Sequence, residues 1–330
     1  MRQTKSLLTK LLIYCLLLLA GCTWFQKPQP KPEPVPQPVP QQTEPAPPQV
    51  DFGKYKTEPT ITVYMADTGE TRSMPLEQYL EGVVAAEMLP DWPLEALKAQ
   101  AVVSRTLTLN AIEQKTVQRI RQTDVSTSKE ELQAYDAQKV NDHVREAVKS
   151  TRGLAMTYRD AFVNAIYSSC CGQKTATREE SFAKEILYDA GYFQSVDCPC
   201  YEFAPEREKY WSLEVPGDEW KGAAGYTGPA ENVKILEKGP SGRALYIGTD
   251  DKKVLGSEVR QKLGYDKMRS TLVTNVIYQQ DGTVYLEGKG WGNGIGLCQW
   301  GAYTWGQKQQ TYDYILHYYY KGINLQKLWE

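Results

Sequence analysis

Glu87 stands where an ordinary glutamate does not. Between Pro75 and Met88, the apolar residues Leu76, Tyr79, Leu80, Val83 and Val84 recur at helical spacing and define one stripe. Eleven steps of about 100° bring Glu87 within about 20° of Leu76, near the middle of that stripe. Glu77 and Glu81 fall to the side, where a charge costs little. Ionisation is disfavoured among apolar groups, so the pKa of such a carboxyl rises. A carboxyl that keeps its proton near neutral pH is what a general acid requires. The same spacing also fits a glutamate at a helix end, paired with a cation or turned to solvent.

A second helix is expected from about Leu94 to Ile112, with Leu94, Leu97 and Ala101 on one face. Arg105 lies eleven positions after Leu94 on that face, so adjacent helices each direct a charge inward. Arg105 would bind substrate, hold a carboxylate, or form a structural ion pair. Further on, glycines alternate at Gly288, Gly290, Gly292, Gly294 and Gly296. The G-x-G-x-x-G spacing of a dinucleotide site is absent. In an extended segment this alternation strips one face of side chains and lets a ligand approach the backbone. Trp291, Trp300 and Trp305 would offer stacking surfaces for sugar rings; a strained loop with core tryptophans is the alternative. The only histidines, His143 and His317, are far apart in sequence. A Ser-His-Asp triad or a histidine-rich catalytic metal site is therefore hard to build, and carboxylates lead as acid/base candidates.

The elements that must position these groups read as follows. Residues 60–66 form a strand that turns at Asp67-Thr68-Gly69. The Glu87 helix follows, capped by Ser73 with Pro75 in its first turn, and the segment from Pro90 to Pro93 breaks it. Residues 129–150 read as mostly helical and solvated. Leu154–Tyr158 and Phe162–Ser168 read as strands paired across Arg159-Asp160. Residues 208–290 are short strands between turns, and short helices close the chain. The expected fold class is α+β: early helices packed on a mostly antiparallel, strand-rich body, with two lobes around a groove.

Arg2, Lys5 and the apolar run Leu11–Ala20 form an export signal, too short to be a comfortable membrane span. Leu19-Ala20-Gly21-Cys22 looks like a lipobox, with lipid on Cys22, against the alternative of a plain signal peptide. No later stretch is long and apolar enough to span. Residues 27–48 are dense in Pro, Gln and Val, an extended tether without a core. The expected organisation is a lipoprotein signal over 1–22, a tether over 23–54 and a folded domain over 55–330. Such a protein is extracytoplasmic, anchored to a membrane through lipid. A net charge of −2 and a pI of about 5.9 give no electrostatic case for nucleic acid.

Cys15 leaves with the signal. Cys170-Cys171 and Cys198-Pro199-Cys200 form a cluster if their strands are neighbours. Export favours disulfides; four thiolates also suit a closed structural zinc site, although Cys-x-Cys is tighter than the usual Cys-x₂-Cys. Either role is structural, and the acid/base chemistry requires no cofactor.

The residues from Pro75 to Met88, then Ala96-Leu97-Lys98-Ala99-Gln100-Ala101-Val102 and Ser104-Arg105-Thr106, resemble the signature of the stage II sporulation protein D family (SpoIID/LytB). The likeness continues through Tyr167-Ser168-Ser169-Cys170-Cys171-Gly172 with Thr175. It resumes at Gly256, Arg260, Leu263-Gly264 and Ser270-Thr271, and again from Gly290 to Ala302. It runs in order over nearly all of residues 60–325. The resemblance implies lytic cleavage of peptidoglycan glycan strands already stripped of peptides by an amidase, with Glu87 as the acid/base. One carboxyl suffices if it protonates the leaving oxygen and then deprotonates the sugar's own 6-hydroxyl, closing a 1,6-anhydro ring; hydrolysis by water normally wants two. Gln100, Arg105, Trp291, Asn293, Gln299 and Trp300 would line the groove. The resemblance also admits a non-catalytic glycan-binding lipoprotein that stimulates a cell-wall amidase. Some members look to carry a metal near the cysteines. Asn293 stands where the family usually has His, and Asn cannot titrate near neutral pH, which lowers activity if that His assists. Cys298 stands where Ser is common and reads as a small buried residue.

Overall fold

The computed structural model describes residues 49–182 and 190–330. The export signal, Cys15, Cys22 and nearly all of the proline-rich tether lie outside the described residues. Strand β1 (Thr60–Tyr64) buries Ile61 and Val63, while Thr60 is exposed and Thr62 and Tyr64 are half-buried. It pairs antiparallel with β2 (Thr71–Pro75) and parallel with β3 (Val125–Ser126). β2 corrects the expected cap: Ser73 lies opposite Thr62 in the ladder and cannot close a helix. Helix α1 (Leu76–Glu87) starts directly after Pro75 with no side-chain cap. Its first free N–H groups go elsewhere, Leu76 to the Pro59 carbonyl at 3.1 Å and Glu77 to Glu58 Oε1 at 2.8 Å.

α1 ends at Glu87 because Met88 turns to extended backbone (φ −126°, ψ 152°) ahead of Pro90. Helix α2 (Leu94–Gln114) packs on it and is buried over most of its length. Residues 129–141 hold no α-helix, only a 3₁₀ turn at Ala137–Lys139. Helix α3 covers only Asp142–Ser150, where Asn141 accepts the Val144 N–H at 2.9 Å as its cap. The preceding segment turns inward, and Gln133 is fully covered.

β4 (Leu154–Tyr158) and β5 (Ala161–Phe162) form the expected hairpin, with Arg159 and Asp160 both at positive φ as a two-residue turn requires. The chain then leaves that sheet. β6 (Tyr167–Ser168) pairs in parallel with β13 (Leu297–Cys298), about 130 positions later, and β14 (Asn324–Lys327) completes the β4 sheet. Helices α6 (Gln299–Gln307) and α7 (Tyr312–Tyr319) close the main core against α2.

A second, smaller core lies in the strand-rich region. Strands β7 (Tyr210–Pro216), β11 (Val273–Tyr278) and β12 (Thr283–Lys289) make one antiparallel sheet; β8 (Lys234–Lys238), β9 (Ala244–Thr249) and β10 (Lys252–Leu255) make another. Helices α4 (Gly217–Ala223) and α5 (Gly256–Leu263) pack on them through Trp220, Val259 and Leu263. Neither was expected. Both are short, and α4 carries two glycines with no sustained apolar period. The fold is mixed α+β.

Candidate active site

Glu87 is the last residue of α1, half-buried, with its carboxyl facing three donors from distant parts of the chain. The Ala134 N–H donates to Oε1 at 2.8 Å. Gln299, the first residue of α6, donates its amide to the Glu87 carbonyl at 3.0 Å and reaches Oε2 at 3.5 Å. The Tyr167 hydroxyl is the third partner. Burial pushes the Glu87 pKa above the usual carboxylate range. The Ala134, Tyr167 and Gln299 hydrogen bonds and the Lys129 charge pull the other way, and burial prevails. The surroundings are thus more polar than the apolar stripe suggested. None of these neighbours is a second carboxylate.

Behind the acid runs a buried polar relay. The Tyr167 hydroxyl lies 3.4 Å from Gln133 Oε1, and Gln133 Nε2 donates to Thr108 Oγ1 at 3.0 Å. A phenol has one proton. It can donate to ionised Glu87, or accept from protonated Glu87 while donating to Gln133. Ala134 and Gln133 escaped the sequence reading, and Tyr167 was noted there only as part of the family likeness, without a role. An N–H donor carries no side-chain signal, and the segment around Gln133 has no period.

Of the expected groove residues, the structure joins Gln299 directly to Glu87. Trp300 follows it, half-buried, with its ring 4.7 Å from Trp92 and 5.3 Å from Tyr303. Tyr303 in turn meets Phe203, which is exposed. Leu89, two residues after the acid, is also exposed.

Of the roles open to Arg105 the structure takes the ion pair and not substrate binding, and Gln100 is a correction. Arg105 is fully buried, donating to Glu77 through Nε at 2.9 Å and through a terminal nitrogen at 2.5 Å, and to the Leu154 carbonyl at 3.1 Å. It holds a carboxylate and has no surface to offer a substrate. Glu77 is no side charge either; it also accepts from the Gly153 N–H and the Trp329 indole. Gln100 is sealed in the core, donating to Ser104 Oγ at 3.0 Å. The helical wheel placed Arg105 inward, as found; it missed Glu77 because α1 is buried on several sides.

Asn293 uses its side-chain oxygen to accept the Ile295 N–H at 3.1 Å. Trp291 bridges Cys170 through the backbone and stacks under Arg269 at 4.2 Å. Among the described residues, no hydrogen bond links either one to Glu87. The alternating glycines also depart from expectation. From Gly290 to Gly296 they take positive φ instead of an extended form. Their bare faces meet the protein's own chain: a methyl on Gly294 would strike the Arg243 guanidinium at 2.0 Å, and one on Gly296 the Ile166 carbonyl at 2.0 Å. A depression of about 520 Å³ lined by Met65, Arg72, Tyr135 and Asp136 does not include Glu87.

All five described cysteines are buried with free thiols, so no disulfide joins them. The sulfurs of Cys171, Cys198, Cys200 and Cys298 lie within 4.8 Å of one another. This corrects the expected set: Cys298 joins it, and Cys170 stands beside it, 3.6 Å from the Cys200 sulfur.

Comparison with known proteins places residues 64–158 in the family model described as stage II sporulation protein, SpoIID. An uncharacterized protein of Brachyspira hyodysenteriae (strain ATCC 49526 / WA1) is 32% identical over 255 residues, which is 76% of this chain and 66% of that one. Stage II sporulation protein D of Bacillus amyloliquefaciens is 25% identical over 278 residues, 81% of this chain and 78% of the relative. The amidase enhancer of Bacillus subtilis (strain 168) is 28% identical over 294 residues, 74% of this chain but 40% of the relative. The chain thus spans about two thirds of the first of these relatives and less than half of the last.

Proposed function

The chain belongs to the stage II sporulation protein D family, and from that premise we propose that it is a lytic transglycosylase cleaving peptide-stripped peptidoglycan strands. The observation that carries this reading is Glu87: one half-buried carboxyl, raised in pKa by burial and held by three donors, without a second carboxylate among its partners. Protonated Glu87 donates to the glycosidic oxygen as the C1–O bond breaks. The resulting carboxylate takes the proton of the same sugar's 6-hydroxyl as its oxygen bonds C1. A 1,6-anhydro end forms, no water is consumed, and Glu87 regains its proton. Gln299 and Ala134 hold the carboxyl oxygens in place through both steps, and Tyr167 can stabilise either protonation state. The aromatic row of Trp300, Tyr303 and Phe203 offers ring faces to sugars beside the acid. The protein is exported, carries lipid on Cys22 and stands off a membrane on its proline-rich tether. No helix among the described residues is long and apolar enough to cross one.

A second reading has its own support. One relative is an amidase enhancer, and Asn293 provides no titrating group where the family usually has one. On that reading the chain binds glycan and stimulates a cell-wall amidase without cleaving.

Purified protein incubated with peptide-free glycan strands separates the two. Anhydro-ended fragments detected by mass, and absent with Glu87→Gln, establish the transglycosylase. Glycan binding and amidase stimulation without fragments establish the accessory role and overturn the first.

A further inference from the structure

We propose that Cys171, Cys198, Cys200 and Cys298 form a closed tetrathiolate site for one zinc ion, which pins the start of α6 beside Glu87. Zinc bound by four thiolates at about 2.3 Å separates the sulfurs by about 3.8 Å. Here the Cys171 and Cys200 sulfurs are 3.9 Å apart, and all four lie within 4.8 Å. Two disulfides would draw the sulfurs into pairs; one mutually close quartet is the arrangement a central cation imposes.

The donors come from three separate parts of the chain: the turn after β6, the short 3₁₀ helix at Pro199–Glu202, and β13. Each is too short to hold its place by its own ladder. The surroundings match a buried anionic cluster. A zinc tetrathiolate carries a net charge of −2, and the fully buried Arg243 guanidinium lies against it, donating to the Cys171 carbonyl at 2.7 Å. The Cys171 N–H donates to the Cys298 sulfur at 3.2 Å, and the Tyr319 hydroxyl meets the Cys198 sulfur at 3.1 Å. Gly301 leaves room for the cluster: a methyl there would strike the Cys198 sulfur at 2.6 Å and the Tyr319 hydroxyl at 1.9 Å. Four thiolates leave no open position, so the ion is structural. Its consequence lies one residue away. Cys298 directly precedes Gln299, whose amide reaches the Glu87 carboxyl, so the metal fixes a donor of the site without touching substrate.

Elemental analysis and zinc-edge X-ray absorption on the full chain, purified with and without reductant, test this independently of any activity. Wild type and Cys170→Ser should each hold about one zinc with four sulfur neighbours. Cys298→Ser should lose zinc or show three sulfurs. Cys298→His, which restores a ligand, should regain zinc with a mixed sulfur–nitrogen shell and guards against a folding defect in the serine variant. Four outcomes overturn the proposal: a sulfur count that falls in Cys170→Ser and not in Cys298→Ser; failure of Cys298→His to regain zinc; iron in place of zinc; or a wild-type chain without zinc, whether its thiols are free or joined as cystine.

Discussion

At Glu87 two opposing influences act on one proton. Burial favours the neutral acid; the Ala134, Tyr167 and Gln299 hydrogen bonds favour the ion, and burial is the larger. The transferring form is the acid, so turnover should fall as pH rises through the Glu87 pKa. Tyr167→Phe removes a group that lowers this pKa, so the alkaline limb of the pH–rate profile should move up; an unmoved limb would separate Tyr167 from the acid. Glu87→Gln should cut turnover by about two orders of magnitude or more, as loss of a general acid does. Its stability should respond oppositely. The folded-state pKa is raised, so between the unfolded and folded values the native chain holds a proton the unfolded chain lacks, and stability drops as pH rises through that window. Thermal melts at pH 4 and pH 8 should therefore show Glu87→Gln gaining on wild type at the higher pH. A difference that ignores pH would contradict the assignment. The place of Glu87 on the inner side of its helix was legible in the apolar spacing. Its hydrogen-bond partners were not, because they come from positions 47, 80 and 212 residues away.

At the scale of elements, α1 and α2 are joined by a sealed ion pair, Glu77 with Arg105. The sequence put an inward charge on each helix and left the ion pair open as one role for Arg105, but it treated Glu77, the partner, as solvated. A wheel assumes one buried face, and α1 is covered on several. Breaking the pair by Glu77→Ala leaves Arg105 buried without its carboxylate and should cost about 3–5 kcal/mol, measured by urea unfolding. A loss under about 1 kcal/mol would show that water or a neighbouring carbonyl replaces the partner. Residues 129–136 show a second limit: charged and helix-favouring in composition, they form no α-helix because Ala134 and Gln133 are drawn in to the acid and its relay.

In the whole molecule, the end of the described chain locks onto its first helix. The Trp329 indole donates to Glu77 Oε1 at 3.1 Å, and its backbone fills the space beside Gly153. Trp329→Ala should cost about 3–5 kcal/mol through lost packing. Combined with Glu77→Ala it should fall short of additivity by 0.5 kcal/mol or more, since both serve one network. Strict additivity in the double-mutant cycle would place them in separate networks.

Local chemistry settled what local chemistry can: the two early helices, the β4–β5 hairpin, the mixed α+β class and the inward-facing Glu87 follow from side-chain periodicity and turn residues within short windows. Which groups surround that acid, that Arg105 belongs to Glu77, that the glycine run abuts its own protein, and that Cys298 completes a sulfur quartet were decided only when β6 paired with β13 and the core closed. Those contacts are selected by packing between segments far apart in the chain, and no short window holds both partners.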